Sequence, residues 1–177
     1  MDLWRLAGAQ HAQMFDGGYG LLYEGRWNTA GRAITYCTTT PSLCVLEKLV
    51  HVEDPQLLPA LAMVRYEVPD SLDVQSIPIA QLPPSWRMQE SWTQQRGDEW
   101  HDALATALLR VPSAVVPLDG SPDMNVLINH RHRAAAEITV LAAETFALDM
   151  RLFQHESWKC GDMKRFTVSG PAARSGK

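Results

Sequence analysis

Cysteine is scarce in this chain: three among 177 residues, Cys37, Cys44 and Cys160. They form no CxxC pair, and an odd, scattered set argues for free thiols in a reducing compartment and against a disulfide framework. No apolar run reaches the length that spans a bilayer, so no transmembrane helix is expected. Met1-Asp2-Leu3-Trp4-Arg5 lacks the basic-then-apolar pattern of a secretory signal, which makes the cytoplasm the expected location. Basic residues do not dominate either. The formal net charge is -4, which gives a nucleic-acid partner no general electrostatic help. The patterns GxGxxG, GxxxxGKS/T and HExxH are absent, so a Rossmann crevice, a P-loop and a zincin helix are not expected.

What remains is an ordinary globular composition, 46% apolar, with 11 glycines and 11 prolines spread along the chain. This length fits one domain with a real core. The scattered Pro and Gly predict many short elements and no long helical bundle. Gly17-Gly18-Tyr19-Gly20 reads as a loop, and Gly25 to Gly31 as a turn. Ala33 to Thr38 is rich in β-branched and aromatic residues and reads as a strand. Thr40-Pro41 then suits a helix start, with Thr40 as N-cap and Pro41 at the first helical position. Leu43, Leu46, Leu49 and Val50 share its predicted apolar face, with Glu47 beside that face. Ala62 to Val68 reads as a strand and residues 77–86 as irregular. Gly97 to Ala107 reads as a helix burying Trp100, Leu104 and Leu108. Leu108 to Val116 reads as a strand broken at Pro112, at an edge or bulge. Gly120-Ser121-Pro122-Asp123 is a turn, and Glu137 to Ala142 and Ala147 to Phe153 are further strands. The fold class expected is α+β: a single compact domain of short, mostly antiparallel strands with surrounding helices, over residues 1–158. A flexible C-terminal tail is expected over 159–177.

Several short motifs stand out in order. They are Gly25-Arg26-Trp27-Asn28 with Gly31, the Tyr36 strand, Leu46-Glu47-Lys48-Leu49-Val50-His51, Gly97-Asp98-Glu99-Trp100, Val111-Pro112-Ser113-Ala114-Val115-Val116, and Asn125-Val126-Leu127-Ile128-Asn129 with His132. Each is weak alone. In this order and at these spacings the set resembles the RES-domain toxins, from about Trp4-Arg5 to Arg151-Leu152. The match places the family's Arg on Arg26, its Tyr on Tyr36, its Glu on Glu47 and its Ser on Ser113. Residues between Glu67 and Trp86, and the tail, fall outside it.

The resemblance implies a fold like that of ADP-ribosyltransferases and a toxin that breaks down NAD by hydrolysis or phosphorolysis, arresting growth. NAD is then substrate, not cofactor, and inorganic phosphate is a possible co-substrate. It also implies a partner: an Xre-type, helix-turn-helix antitoxin whose C-terminal region blocks the active-site cleft, in a hetero-oligomeric complex. DNA binding would belong to that partner, in keeping with the acidic balance here. A protein ADP-ribosyltransferase and a non-catalytic module binding a nucleotide or a partner stay open as alternatives.

The chemistry suits the residues. Nicotinamide leaves as a neutral ring, so no general acid is needed, and a carboxylate beside the ribose can stabilise the developing positive charge. Glu47 is the candidate, against a solvated helix Glu. The planar fork of Arg26 suits a pyrophosphate or an incoming phosphate, against a surface ion pair. Tyr36 can stack on nicotinamide, or simply pack as a strand residue. Ser113 can orient the carboxamide or a phosphate, or cap a broken strand edge, and it lacks the Gly-x-Ser-x-Gly setting of a nucleophile. Trp27, Asn28, Asn125 and Asn129 complete the candidate substrate contacts. Their competing roles are core packing for Trp27, holding the turn for Asn28, and backbone capping for the other two. No metal is expected: His130-Arg131-His132 offers two imidazoles without further ligands at recognisable spacing.

Overall fold

The computed structural model describes residues 1–153 of the chain. Met1–Ala147 forms one compact unit. Among the described residues, seven strands build a single sheet: β1 (Asp2–Gly8), β2 (Ile34–Thr38), β3 (Leu61–Glu67), β4 (Val74–Ser76), β5 (Leu108–Pro112), β6 (Met124–Asn129) and β7 (Thr139–Phe146). Their order is β4-β5-β6-β2-β1-β3-β7. β4 and β5 run parallel and the other neighbours antiparallel. The α-helices among the described residues are α1 (Gly18–Leu22), α2 (Pro41–Leu49) and α3 (Glu90–Ala103). This is the mixed α+β architecture expected from the sequence.

Strand alternation sends side chains to both faces of the sheet. Val126 and Ile128 of β6 join Leu3, Cys37, Val64 and Tyr66 on one side. Leu127, between them, joins Trp27, Ile34, Trp86, Trp100, Leu109 and Val111 on the other. The site lies on this second, tryptophan-rich face.

α2 starts as expected. Thr40 is extended, and its hydroxyl accepts the Leu43 N–H at 3.3 Å, with Pro41 opening the helix. Its buried face is different from the expected one: Leu43 and Cys44 are buried, whereas Leu46 is 39% and Val50 62% exposed. Helical period alone sets which residues share a face, not which face turns inward.

Other boundaries also shift. Gly17-Gly18-Tyr19-Gly20 is not simply a loop: Gly17, at φ +73°, caps the short α1. The helix expected from Gly97 begins at Glu90 and ends at Ala103, where Leu104 turns left-handed at φ +53°. Leu104 is therefore outside the helix's buried side, which is formed by Thr93, Gly97, Trp100 and His101. β5 ends at Pro112, beyond the last β4 pairing at Ser76–Arg110, so the proline's missing N–H breaks no ladder on that side. In place of the two strands expected near the end there is one, β7. Met150–Phe153 forms a 3-10 turn. The expected tail from Lys159 lies outside the described residues.

Candidate active site

Gly25 and Asn28 close a tight turn, with Gly25 N–H donating to Asn28 O at 2.9 Å and Asn28 N–H to Gly25 O at 3.3 Å. Arg26 and Trp27 occupy its tip. Trp27 is fully buried against Trp86, with ring centroids 6.2 Å apart, while Arg26 is partly exposed. The Tyr36 hydroxyl organises the turn from β2. It accepts the Trp27 N–H at 3.0 Å and donates to Asn28 Oδ1 at 2.7 Å. Burial pushes the phenol pKa well above its ordinary value, so the hydroxyl stays a neutral donor. A Cβ on Gly25 would sit 2.8 Å from that oxygen, which is why the turn opens on glycine.

α3 locks the turn from outside. A Cβ on Gly97 would overlap the Trp27 carbonyl, so only glycine allows the helix this close. Gln94 Nε2 donates to Gly25 O at 3.1 Å. Asp98 accepts from the Thr29 N–H at 3.0 Å and the Thr29 hydroxyl at 2.8 Å, and it pairs with Arg32 at 3.0 Å. Arg26 Nη1 donates to Arg87 O at 3.2 Å. Its other N–H groups carry no bond among the described residues, which leaves a cation on a rigid turn with donors to spare.

The acidic half of the site comes from α2, β6 and the end of β5. Glu47 Oε1 accepts two bonds, from Ser113 Oγ at 2.8 Å and from Asn125 Nδ2 at 2.8 Å. Ser113 Oγ in turn accepts the N–H groups of Val115 at 3.0 Å and Val116 at 3.1 Å. Glu47 Oε2 has no hydrogen-bond partner among the described residues. Tyr36 pairs with Leu127, and Asn125 lies two residues back on the same face of β6. Such diagonal neighbours lie about 7–8 Å apart, their Cβ atoms somewhat closer. The carboxylate's anchor and the phenol-bearing residue are thus neighbours on one sheet face, and the Tyr36 hydroxyl ties that face to the turn that carries Arg26.

The remaining candidates sit elsewhere. Asn129 is fully buried at the far end of β6, roughly 13 Å along the strand from Asn125. Its Nδ2 donates to His101 O at 2.9 Å and its Oδ1 accepts the Arg131 N–H at 3.0 Å. His130 Nε2 bonds the Thr35 hydroxyl at 2.9 Å, and His132 Nδ1 accepts the Ala134 N–H at 3.2 Å. The two imidazoles therefore serve different bonds. Among the described residues no group of three His, Cys, Asp or Glu side chains is disposed to hold a metal. In the sequence Gly97 and Asp98 stand out only as part of a motif, with no role of their own, and Gln94 does not stand out at all; a glycine inside a helix does point to a packing reason.

Comparison with known proteins extends the picture. The RES domain profile matches residues 2–149. A Pseudomonas putida protein named Toxin Res is 37% identical over 155 residues, covering 86% of this chain and all of that one. Toxin Res of Photorhabdus laumondii is 33% identical, covering 86% and 97%. A Sphingobium protein named Prs ADP-ribosylating toxin is 31% identical over 161 residues, again covering 86% and 97%. Among solved structures, the crystal structure of the M. tuberculosis MbcT-MbcA toxin-antitoxin complex holds a chain that superposes with a TM-score of 0.60. That likeness, at 16% identity and 86% coverage of each chain, is one of fold. No helix among the described residues is long and apolar enough to cross a membrane. With the profile spanning most of its length and curated relatives matched nearly end to end, this chain is a member of the RES-domain family.

Proposed function

We propose that the chain is the toxin of a toxin–antitoxin pair and cleaves the nicotinamide–ribose bond of NAD. The observation that carries this reading is the Glu47 carboxylate, held through Oε1 by Ser113 and Asn125 with Oε2 unpartnered among the described residues. Oε2 is the group that would accept a ribose hydroxyl and stabilise the positive charge growing on the sugar. Arg26 would take the pyrophosphate with its spare N–H groups. The ring of Tyr36, its hydroxyl already committed to the turn, would offer a face to nicotinamide. Because the departing ring is neutral, the proposed site needs no proton donor.

Water or phosphate would complete the reaction as acceptor. The name of the Sphingobium relative favours a second reading, in which a protein side chain takes the ADP-ribose. The toxin names of the curated relatives and the complex containing the structural neighbour support a neutralising partner. We take it to be an Xre-type antitoxin whose C-terminal region covers the cleft, in a cytoplasmic hetero-oligomer. Mass spectrometry of NAD incubated with the purified chain, in phosphate and in phosphate-free buffer, tests the reading. ADP-ribose, or its phosphorylated form, supports small-molecule cleavage. ADP-ribose on a macromolecule supports the second reading, and NAD bound without conversion refutes both in favour of a binding module.

A further inference from the structure

A serine hydroxyl can make three hydrogen bonds, one as donor and two as acceptor. In Ser113 all three are filled inside the protein. The Val115 and Val116 N–H groups donate to Oγ at 3.0 and 3.1 Å, and the hydroxyl proton goes to Glu47 Oε1 at 2.8 Å. The residue is 0% exposed. A substrate atom finds neither surface nor bonding capacity there. Asn125 adds a second donor to the same carboxylate oxygen. Two donors from different elements fix the tilt of the carboxylate and hold Oε1 inward. The backbone N–H groups polarise the hydroxyl and so strengthen its bond to the anion.

We propose that Ser113 is a positioning residue, which never meets the substrate and acts only through Glu47. It relays the polarity of two backbone N–H groups onto Oε1 and so presents Oε2 to the sugar. This rests on the reading of Glu47 as the charge-stabilising group. The strand end at Pro112 supplies the geometry: with the ladder finished, the chain bends, and the N–H groups two and three residues on turn back to the Ser113 side chain.

A double-substitution cycle on the full chain tests it, using Ser113→Ala, Glu47→Gln and the pair. kcat and KM for NAD are read from nicotinamide release, and each variant's folded fraction from its melting curve. Ser113→Ala is expected to lower kcat roughly 10–100-fold with KM within about twofold. In the Glu47→Gln background the same change is expected to cost no more than about twofold. A KM that rises in step with the lost kcat marks a substrate contact and overturns the proposal. An unchanged kcat in the single variant, or the full loss repeated in the Glu47→Gln background, overturns it too. If Ser113→Ala does not fold, Ser113→Cys, similar in size and a weaker donor, carries the cycle at smaller amplitude. If the wild-type chain turns over no NAD, the proposed function fails separately, and a crystal structure of the Ser113 variant decides the positioning role. A Glu47 side chain turned away from Asn125 supports it, and one that has not moved refutes it.

Discussion

The hydroxyl of Tyr36 donates to Oδ1 of Asn28 at 2.7 Å, across eight residues of sequence. With the Trp27 N–H donating to the phenol oxygen itself, the Tyr36 hydroxyl ties β2 to the turn that carries Arg26. Tyr36→Phe keeps the ring and removes the tie, stranding the Trp27 N–H and the Asn28 carbonyl. The expected loss is about 1–3 kcal/mol of stability, together with a severalfold weaker affinity for NAD as Arg26 loses its mount. Denaturant titration and calorimetry measure the two.

Gly97→Ala is expected to be far more damaging than an ordinary helix substitution. Alanine favours helix by roughly 1 kcal/mol over glycine, but here its Cβ would overlap the Trp27 carbonyl and push α3 off the turn. The overlap is expected to win, with a net cost of about 2–3 kcal/mol, or a fall of roughly 5–10 °C in melting temperature. A melting curve at or above wild type would contradict the close approach.

Alkaline pH should weaken the fold. Burial holds the thiol of Cys44 in its neutral form, with its pKa pushed up to about 11, and raises Cys37, Tyr36 and Tyr66 as well. The unfolded chain gives up these protons first, so it binds fewer than the folded one. Stability is full below about pH 9 and falls as pH rises towards 11. Cys44→Ala is expected to be less stable than wild type at pH 8, with the gap narrowing by roughly 2 kcal/mol at pH 10.5. Urea unfolding at the two pH values measures it.

Acid should act through His130. Burial beside the Phe15 ring lowers its pKa from 6.5 to about 4; Asp16 opposes the shift and Arg5 adds to it. Between those values the unfolded chain binds more protons, so stability is present above pH 6.5 and is lost as pH falls towards 4. His130→Gln, whose amide can still reach the Thr35 hydroxyl, is expected to lose less stability than wild type between pH 7 and pH 4.5. Unfolding midpoints at both pH values check this.

Local chemistry was legible where it is decided locally. Thr40-Pro41 announced the start of α2, and the β-branched run around Tyr36 announced β2, because capping and strand preference act over a few residues. β1 gave no such signal: Asp2-Leu3-Trp4-Arg5-Leu6-Ala7-Gly8 does not alternate cleanly, and its main partner, β3, lies some sixty residues away. The first turns of α3 were missed because their inward residues are Thr93 and Gly97, small groups chosen to fit against the Trp27 turn rather than to form an apolar stripe. The exposure of Leu46 and Val50 was unreadable for a related reason, since which side of α2 faces in is set by its packing on β2 and on β1, the latter more than thirty residues away. The family motif drew Glu47 and Ser113 together as members of one site. Their bond, across 66 residues, depends on how β5 ends and was visible only in the folded chain.

Nicotinamide release from NAD by the purified chain, set beside that by Glu47→Gln, tests the central claim most directly. The substituted amide would keep the shape of the side chain and its capacity to accept from Ser113, but it carries no charge to stabilise the sugar cation. Robust release by the wild type, a fall of at least roughly 100-fold in the variant, and NAD affinity within a few-fold are expected. A variant that releases nicotinamide at the wild-type rate would contradict the account.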